Sequence, residues 1–364
     1  MRRAFGLLVA VLLLGGVAFA LLEPTDGGGG GKGPVTVTVT GLIGSEKREF
    51  FDDPAVRAEL AAQGLTVKVQ SAGSWQMGDN LDGMDFAFPA SQPPADAIRT
   101  KRGITETAIR PFYSPLVIMA HESTARVLEA NGLAGQDKAS KVWTFRMADY
   151  LNAIRTGRRW DQLGGDKPGD LAGDIFLTTT DPTTSSSGAM YVSLLSYLEN
   201  GNQPVADAAG VERTKALLHT AITKQGSLKK STDEPFADFL SNGGGALVLA
   251  YESQAAELIV KKKAPEDLVV LYPDTTVYSD HTVVGLTENG RKLAGQLNGN
   301  AKLRELAASY GFRPQGDTNA FGAQLKSASG SFTLAPHLGA AKVKQAPTPV
   351  PEVLQKLIDG AMRG

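Results

Sequence analysis

Between Thr178 and Ser187 the chain crowds eight hydroxyl side chains into ten residues, interrupted by Asp181-Pro182 and followed by Gly188. The residues ahead, 175–177, are apolar and read as a strand. From Gly188 onward Met190, Tyr191, Leu194, Leu195 and Leu198 recur at helical spacing, and Asn200-Gly201 ends the run. A helix that begins here presents backbone N–H groups with no intrahelical partner, and its dipole adds partial positive charge. Such an end holds an anion or a carbonyl oxygen without any cationic side chain. Ser and Thr also cap helices, but a cap uses one hydroxyl and this turn offers eight. Thr184, Ser185, Ser186, Ser187 and Gly188 are therefore the candidate ligand contacts.

Other chemistries find less support. The chain contains no cysteine, which excludes disulfides, thiolate zinc sites, thiol catalysis and a lipid-bearing cysteine. His121, His219, His281 and His337 stand far apart, with no pair at ligand spacing, so neither a metal site nor a cofactor is expected. Asp181, Glu252 and Ser187 could be drawn as a triad with one of these histidines, but no nucleophile elbow of the form G-x-S-x-G is present. The chain reads as a binder, not an enzyme. With 37 basic against 38 acidic residues, the net charge of −1 provides no field to draw the chain to nucleic acid.

These residues need a scaffold, and 364 residues are enough for about two domains. Residues 35–40 alternate Val and Thr, a strand pattern that ends in the loop Gly44-Ser45-Glu46-Lys47. Asp53-Pro54 opens a helix that Gly64 stops. Residues 65–70 form a second strand, running into Ala72-Gly73-Ser74-Trp75, and residues 84–88 a third, ending at Pro89-Ala90-Ser91. Polar turns thus sit repeatedly at the carboxyl ends of strands, where open α/β sheets place their ligands. Ser45, Ser74 and Ser91 join the candidates on that ground, although small polar residues also favour ordinary turns. Lys47 reads as a solvated first-turn charge paired with Glu46 or Glu49. Trp75 reads as core or cleft wall, Glu252 as a helix N-terminal acid and His121 as structural.

Farther on, residues 111–120 form a long apolar strand, and residues 123–164 read as helical and amphipathic, with Trp143, Phe145, Met147, Tyr150 and Leu151 on the buried face. Strands are expected at 246–251, 269–272 and 282–286, and helices at 206–224, 231–241, 252–262, 288–310 (with a break near 298–300) and 352–362. At the amino end, Met1-Arg2-Arg3 precedes nineteen uncharged apolar residues, 4–22, and a Gly-rich stretch. This reads as a signal peptide or an uncleaved membrane-anchor helix that exports everything after it.

The order of the GSEK loop, the AGSW turn, PFYSPLVIMA, TDPTTSSSGAMY, ALVLAYESQAAEL, LVVLYPDTTV and YGFRP resembles extracellular solute-binding proteins of the type II periplasmic-binding-protein fold. The likeness is to the branch with molybdate- and sulfate-type members, and it spans roughly residues 35–314. It implies an α/β fold of two lobes joined by two crossing strands, with ligand in the cleft. Residues 1–34 would be the signal or anchor with its linker, 35–115 and 250–325 one lobe, 116–249 the other, and 326–364 a tail with a terminal helix. The resemblance places Ser45 and Ser74 on the first-lobe loops, residues 183–188 at the second-lobe helix start, and Tyr251 on a crossing strand; Ser91 ends the third strand. It implies a small ligand, an oxyanion by preference, a membrane permease of an ABC transporter as partner, and an extracytoplasmic location. A membrane-anchored sensory or assembly protein using the same fold is the alternative. The tail beyond Pro314 has no counterpart in the family.

Overall fold

A computed structural model describes residues 36–165, 171–327, 334–339 and 341–364. The expected signal or anchor segment and its linker, residues 1–34, lie outside the described residues. Among the described residues no helix is long and apolar enough to cross a membrane.

Strand β1 (Val37–Ile43) pairs in parallel with β2 (Leu65–Ser71) and β3 (Phe86–Phe88). Between β1 and β2 run α1 (Arg48–Asp52) and α2 (Pro54–Ala62). Asp53 caps α2, its carboxylate accepting from the Ala55 and Val56 N–H groups at 2.6 and 3.3 Å, with Pro54 in the first turn. Helix α3 (Gln92–Arg102) starts directly after Ser91. Strand β4 (Ile109–His121) then crosses the molecule. Its apolar run Leu116–Ala120 is fully buried, as expected of a strand covered on both faces.

Helix α4 (Glu122–Ala130) is followed by a small hairpin, β5 (Ala134–Gln136) and β6 (Trp143–Phe145), and only then by α5 (Met147–Thr156). The helical reading of residues 123–164 is therefore corrected at its centre. The segment Val142-Trp143-Thr144-Phe145 is β-branched and aromatic, and β6 finds a parallel partner in β8 (Leu268–Pro273). The apolar residues named for the buried face are buried nonetheless. Residues 175–177 also depart from the strand reading, since only an isolated bridge, Thr178 to Val248, ties this stretch to a strand.

The chain continues through α6 (Ser186–Glu199), α7 (Ala208–Thr223), α8 (Asp233–Leu240), β7 (Val248–Tyr251) and α9 (Glu252–Val260). After β8 come β9 (Thr275–Thr276), β10 (Tyr278–Gly285), α10 (Glu288–Gly299), α11 (Ala301–Ser309) and β11 (Arg313–Pro314). The break expected near 298–300 is real, with Asn300 capping α11. The sheet runs β2-β1-β3-β10-β4-β8-β6-β5, and β4 is its pivot. The first half of β4 pairs with β10, and the second half with β7 and β8, all antiparallel. Two apolar cores follow this division: Val39, Phe50, Phe86, Phe88, Phe112 and Leu293 on one side, Phe145, Tyr150, Leu194, Leu218, Leu249 and Leu271 on the other.

The segment after Pro314 packs on the body. Helix α12 (Ala320–Ser327) lies against α9 and α11, and β12 (Lys344–Gln345) pairs with β9. Helix α13 (Pro351–Arg363) buries Leu354, Leu357, Ile358 and Ala361 against α7, α6 and α3. Each buried Leu or Ile contributes about 1.5–3 kcal/mol, so the terminal helix is a structural part of this body.

Candidate functional site

The hydroxyl turn does not cap its helix in the expected way. Ser185 stands at the N-cap in extended conformation without a side-chain capping bond. Instead Thr180 Oγ1, folded back from the preceding stretch, accepts from the Gly188 N–H at 2.9 Å. A Cβ at Gly188 would lie 2.3 Å from the Thr180 carbonyl oxygen, so glycine is what permits this approach. Ser186 and Ser187, at the first and second positions of α6, keep their hydroxyls for other contacts.

One of those contacts reaches across the sheet division. Ser186 Oγ lies 2.8 Å from Ser91 Oγ. Ser187 Oγ meets Thr180 Oγ1 at 2.8 Å, Thr232 Oγ1 at 2.7 Å and Ser185 Oγ at 3.1 Å. The Tyr251 hydroxyl hydrogen-bonds with Ser187, Thr232 and Ser279, and Ser279 donates to the Ala90 carbonyl. Ser74 Oγ accepts from the Ala90 N–H at 3.2 Å. In the AGSW turn the Trp75 N–H donates to the Thr184 carbonyl at 3.2 Å, and a Cβ at Gly73 would come 2.7 Å from the same oxygen. Ser74, Ser91, Thr184, Ser185, Ser186, Ser187, Gly188 and Tyr251 thus converge at one buried seam. Ser45 stands at its edge and donates to the Asp233 carboxylate.

A charged group that sequence reasoning missed adjoins this seam. Lys47 is fully buried, which corrects its reading as a solvated charge. The GSEK loop closes into a single 3₁₀ turn, Ser45–Lys47, directly after β1. That turn carries Lys47 inward, its Nζ 4.8 Å above the Phe88 ring. The ammonium pairs with Glu46, as expected, and lies 3.2 Å from His281 Nδ1. His281, also fully buried, is ringed by Phe112, Tyr251 and Phe312, with centroids 5.1–5.6 Å away. The available signal was alternation. Ser279 and His281 occupy inward positions of β10, where polar residues are unusual unless they are used.

Burial alone would raise the Glu46 carboxyl, but Lys47 and His281 outweigh it and hold it down at about 2. Burial, aided by Lys47, pushes His281 down to about 4, so its ring is neutral near pH 7. Burial also lowers Lys47, against the pull of Glu46, and raises Asp233. An ammonium has only donors, so Nδ1 accepts from Lys47 and the ring proton sits on Nε2. Among the described residues that buried Nε2 has no partner, and neither does the indole Nε1 of Trp75. A cavity of ≈ 400 Å³ opens beside this cluster, with Ser45, Glu46, Glu49, Asp233 and Gln254 in its lining.

Two further residues weighed in the sequence have partners of their own. His121 bonds Asp267 at 2.8 Å and stacks on Phe239. Glu252 opens α9 and also binds Arg313. No group of acids and histidines suited to a metal ion occurs among the described residues.

The family model for bacterial extracellular solute-binding proteins matches residues 40–313. The chain belongs to this family. Among solved structures, the sulfate-binding protein SubI from Mycobacterium tuberculosis H37Rv is similar at 15% identity and a TM-score of 0.51, covering 81% of this chain and 93% of that one. The periplasmic binding protein AfuA from Actinobacillus pleuropneumoniae, with fructose-6-phosphate bound, gives 10%, 0.56, 88% and 96%. Ferric ion-binding protein A from Pasteurella haemolytica gives 14%, 0.54, 89% and 97%. A search of curated proteins returns no match. Like these structures, this solute-binding protein has the two-lobed type II fold; within it β4 and β7 pair antiparallel, Leu116–Met119 against Val248–Tyr251. By name, both the family and the neighbours are binding proteins.

Proposed function

We propose that this solute-binding protein closes its two lobes on a small oxyanion and delivers it to the permease of an ABC transporter, working outside the cytoplasmic membrane. The amino-terminal segment serves as export signal or tether. One observation carries the reading: the first-turn serines of α6 are free of capping duty, and one of them, Ser186, meets Ser91 of the other lobe at 2.8 Å. Hydroxyls and helix N-terminal N–H groups bind a fully ionised oxyanion without exchanging a proton with it. The ligand contacts in this reading are Ser45, Ser74, Ser91, Thr184, Ser185, Ser186, Ser187, Gly188 and Tyr251. Hinge closure would bury the ligand between both sets of loops. The solved neighbours bind chemically different solutes, so the ligand class rests on these residues alone. Calorimetric titration with sulfate, molybdate, tungstate and phosphate is the test. Saturable binding of at least one is expected, and binding of none would sink the oxyanion reading.

A further inference from the structure

We propose that Lys47, with Glu46 and His281, reads the charge of the ligand: the cleft prefers a singly charged oxyanion to a doubly charged one of the same size, and holds it more tightly as pH falls. This rests on the oxyanion reading and adds the charge of the ligand to it.

The argument is one of charge balance. Lys47 and the Glu46 carboxylate are buried together, as a buried charge requires. The pair is neutral, the hydroxyls and backbone N–H groups around Tyr251 add no net charge, and the Asp233 carboxylate at the seam's edge adds a negative charge that repels a dianion more than a monoanion. An arriving anion competes with Glu46 and Nδ1 for the Lys47 ammonium. Once Lys47 turns to the ligand, Nδ1 is released, and Glu46 Oε1 lies 3.4 Å from it. His281 then takes one proton from solvent at Nδ1 and replaces Lys47 as the partner of Glu46. With a monoanion the balance closes: Lys47 against ligand, His281 against Glu46. A dianion leaves one uncompensated negative charge in a seam sheltered from water. The unpartnered Nε2–H is a further donor held in the same cluster.

The groups facing His281 fit this exchange. Glu46 and Lys47 approach from the turn after β1, Tyr251 from β7, Phe112 from β4, and Phe312 from just before β11. Asp233 on α8 acts on Lys47. Asp280, the neighbour of His281 in β10, is engaged by Arg110 and Gln315, and Arg313 by Glu252. The free ring titrates at about 4. A bound anion raises that value, the complex holds more protons than the free protein, and affinity grows on acidification.

Perrhenate and tungstate are tetrahedral oxyanions of similar size carrying one and two negative charges, and they probe the full chain without mutation. Near pH 7 perrhenate is expected to bind at least about tenfold tighter, an electrostatic preference sheltered from salt. Its affinity should climb by up to about tenfold per pH unit on acidification toward pH 5.5. Calorimetry in two buffers of different protonation enthalpy should register proton uptake. His281→Gln should abolish that uptake, and Lys47→Met the charge preference. Tungstate binding as tightly as perrhenate overturns the proposal and leaves the oxyanion reading intact. Preference for perrhenate without proton uptake overturns the part given to His281. Binding of neither, nor of sulfate or phosphate, overturns both readings.

Discussion

Two buried ionic clusters stand on either side of β4, and they are finished to different degrees. Around Arg313 every group is answered. Its guanidinium bonds both oxygens of Glu252, donates to the Pro336 and Ala335 carbonyls, and lies over the Phe321 ring. Tyr272 donates to Glu252 and accepts from the Ala335 N–H at 3.0 Å. This cluster ties the segment after Pro314 to the start of α9. Around Lys47 the accounting stays open: one ammonium is shared between Glu46 and His281, and among the described residues Nε2 is left unpaired. Saturation marks the first as structural. An unsatisfied buried donor costs about 1–3 kcal/mol, and the second cluster tolerates one beside the hydroxyl seam.

Breaking each cluster should expose the contrast. Arg313→Met strands the Glu252 carboxylate among apolar groups and should cost about 3–5 kcal/mol of unfolding free energy, read by denaturant melts, with ligand affinity changed little. Removing Glu252 as well should restore part of the loss, since replacing a whole buried pair is far milder than halving it. The Lys47 cluster should announce itself through pH instead. Glu46 falls from 4.5 to about 2 on folding, so its stabilisation is present above pH 4.5 and is lost as pH drops toward 2. His281 falls from 6.5 to about 4, so between those values the unfolded chain takes up a proton that the folded chain refuses. Stability should therefore decline on acidification from about pH 6.5, by a few kcal/mol in all. His281→Gln should flatten the upper part of that profile, and Glu46→Gln the lower part. A profile unchanged by both variants would show that neither group titrates as the geometry requires.

How much of this was legible follows from how local each signal is. Alternation in β1, the Asp53-Pro54 start, the Asn300 break and the apolar length of β4 are carried by neighbouring residues, and they read correctly. Trp143 and Phe145 misled because a short buried apolar run has the same composition in a strand as in a helix, and β8, more than a hundred residues later, decides the matter. Residues 175–177 failed as a strand because only isolated bridges, at Asp174 and Thr178, flank them and no ladder runs between. The hydroxyl surplus at 178–187 was visible, but the cap was not. Thr180 reaches Gly188 only because the chain doubles back at Asp181-Pro182. Lys47 and His281 are 234 residues apart, and no spacing rule connects them. The turn after β1 and the inward register of β10 bring them together.

The smallest effects separate capping from binding within the hydroxyl turn itself. Thr180 and Ser187 share a hydrogen bond of 2.8 Å, but only Thr180 bonds a helix N–H. Thr180→Ala removes the cap and should cost about 1 kcal/mol of stability. Ser187→Ala leaves that cap in place, and Thr232 retains the Tyr251 hydroxyl as a partner, so its melting temperature should move less. In a ligand titration the order should reverse, Ser187→Ala losing about 1–3 kcal/mol of binding where its hydroxyl serves a buried anion. Ser91→Ala should resemble Ser187→Ala, because among the described residues its hydroxyl bonds across the seam to Ser186. If Ser187→Ala melts earlier than Thr180→Ala while its affinity holds, the turn is a cap after all and the ligand lies elsewhere. If both variants lose stability and affinity together, closure and capping are one event, and the first turn of α6 forms only when the lobes meet.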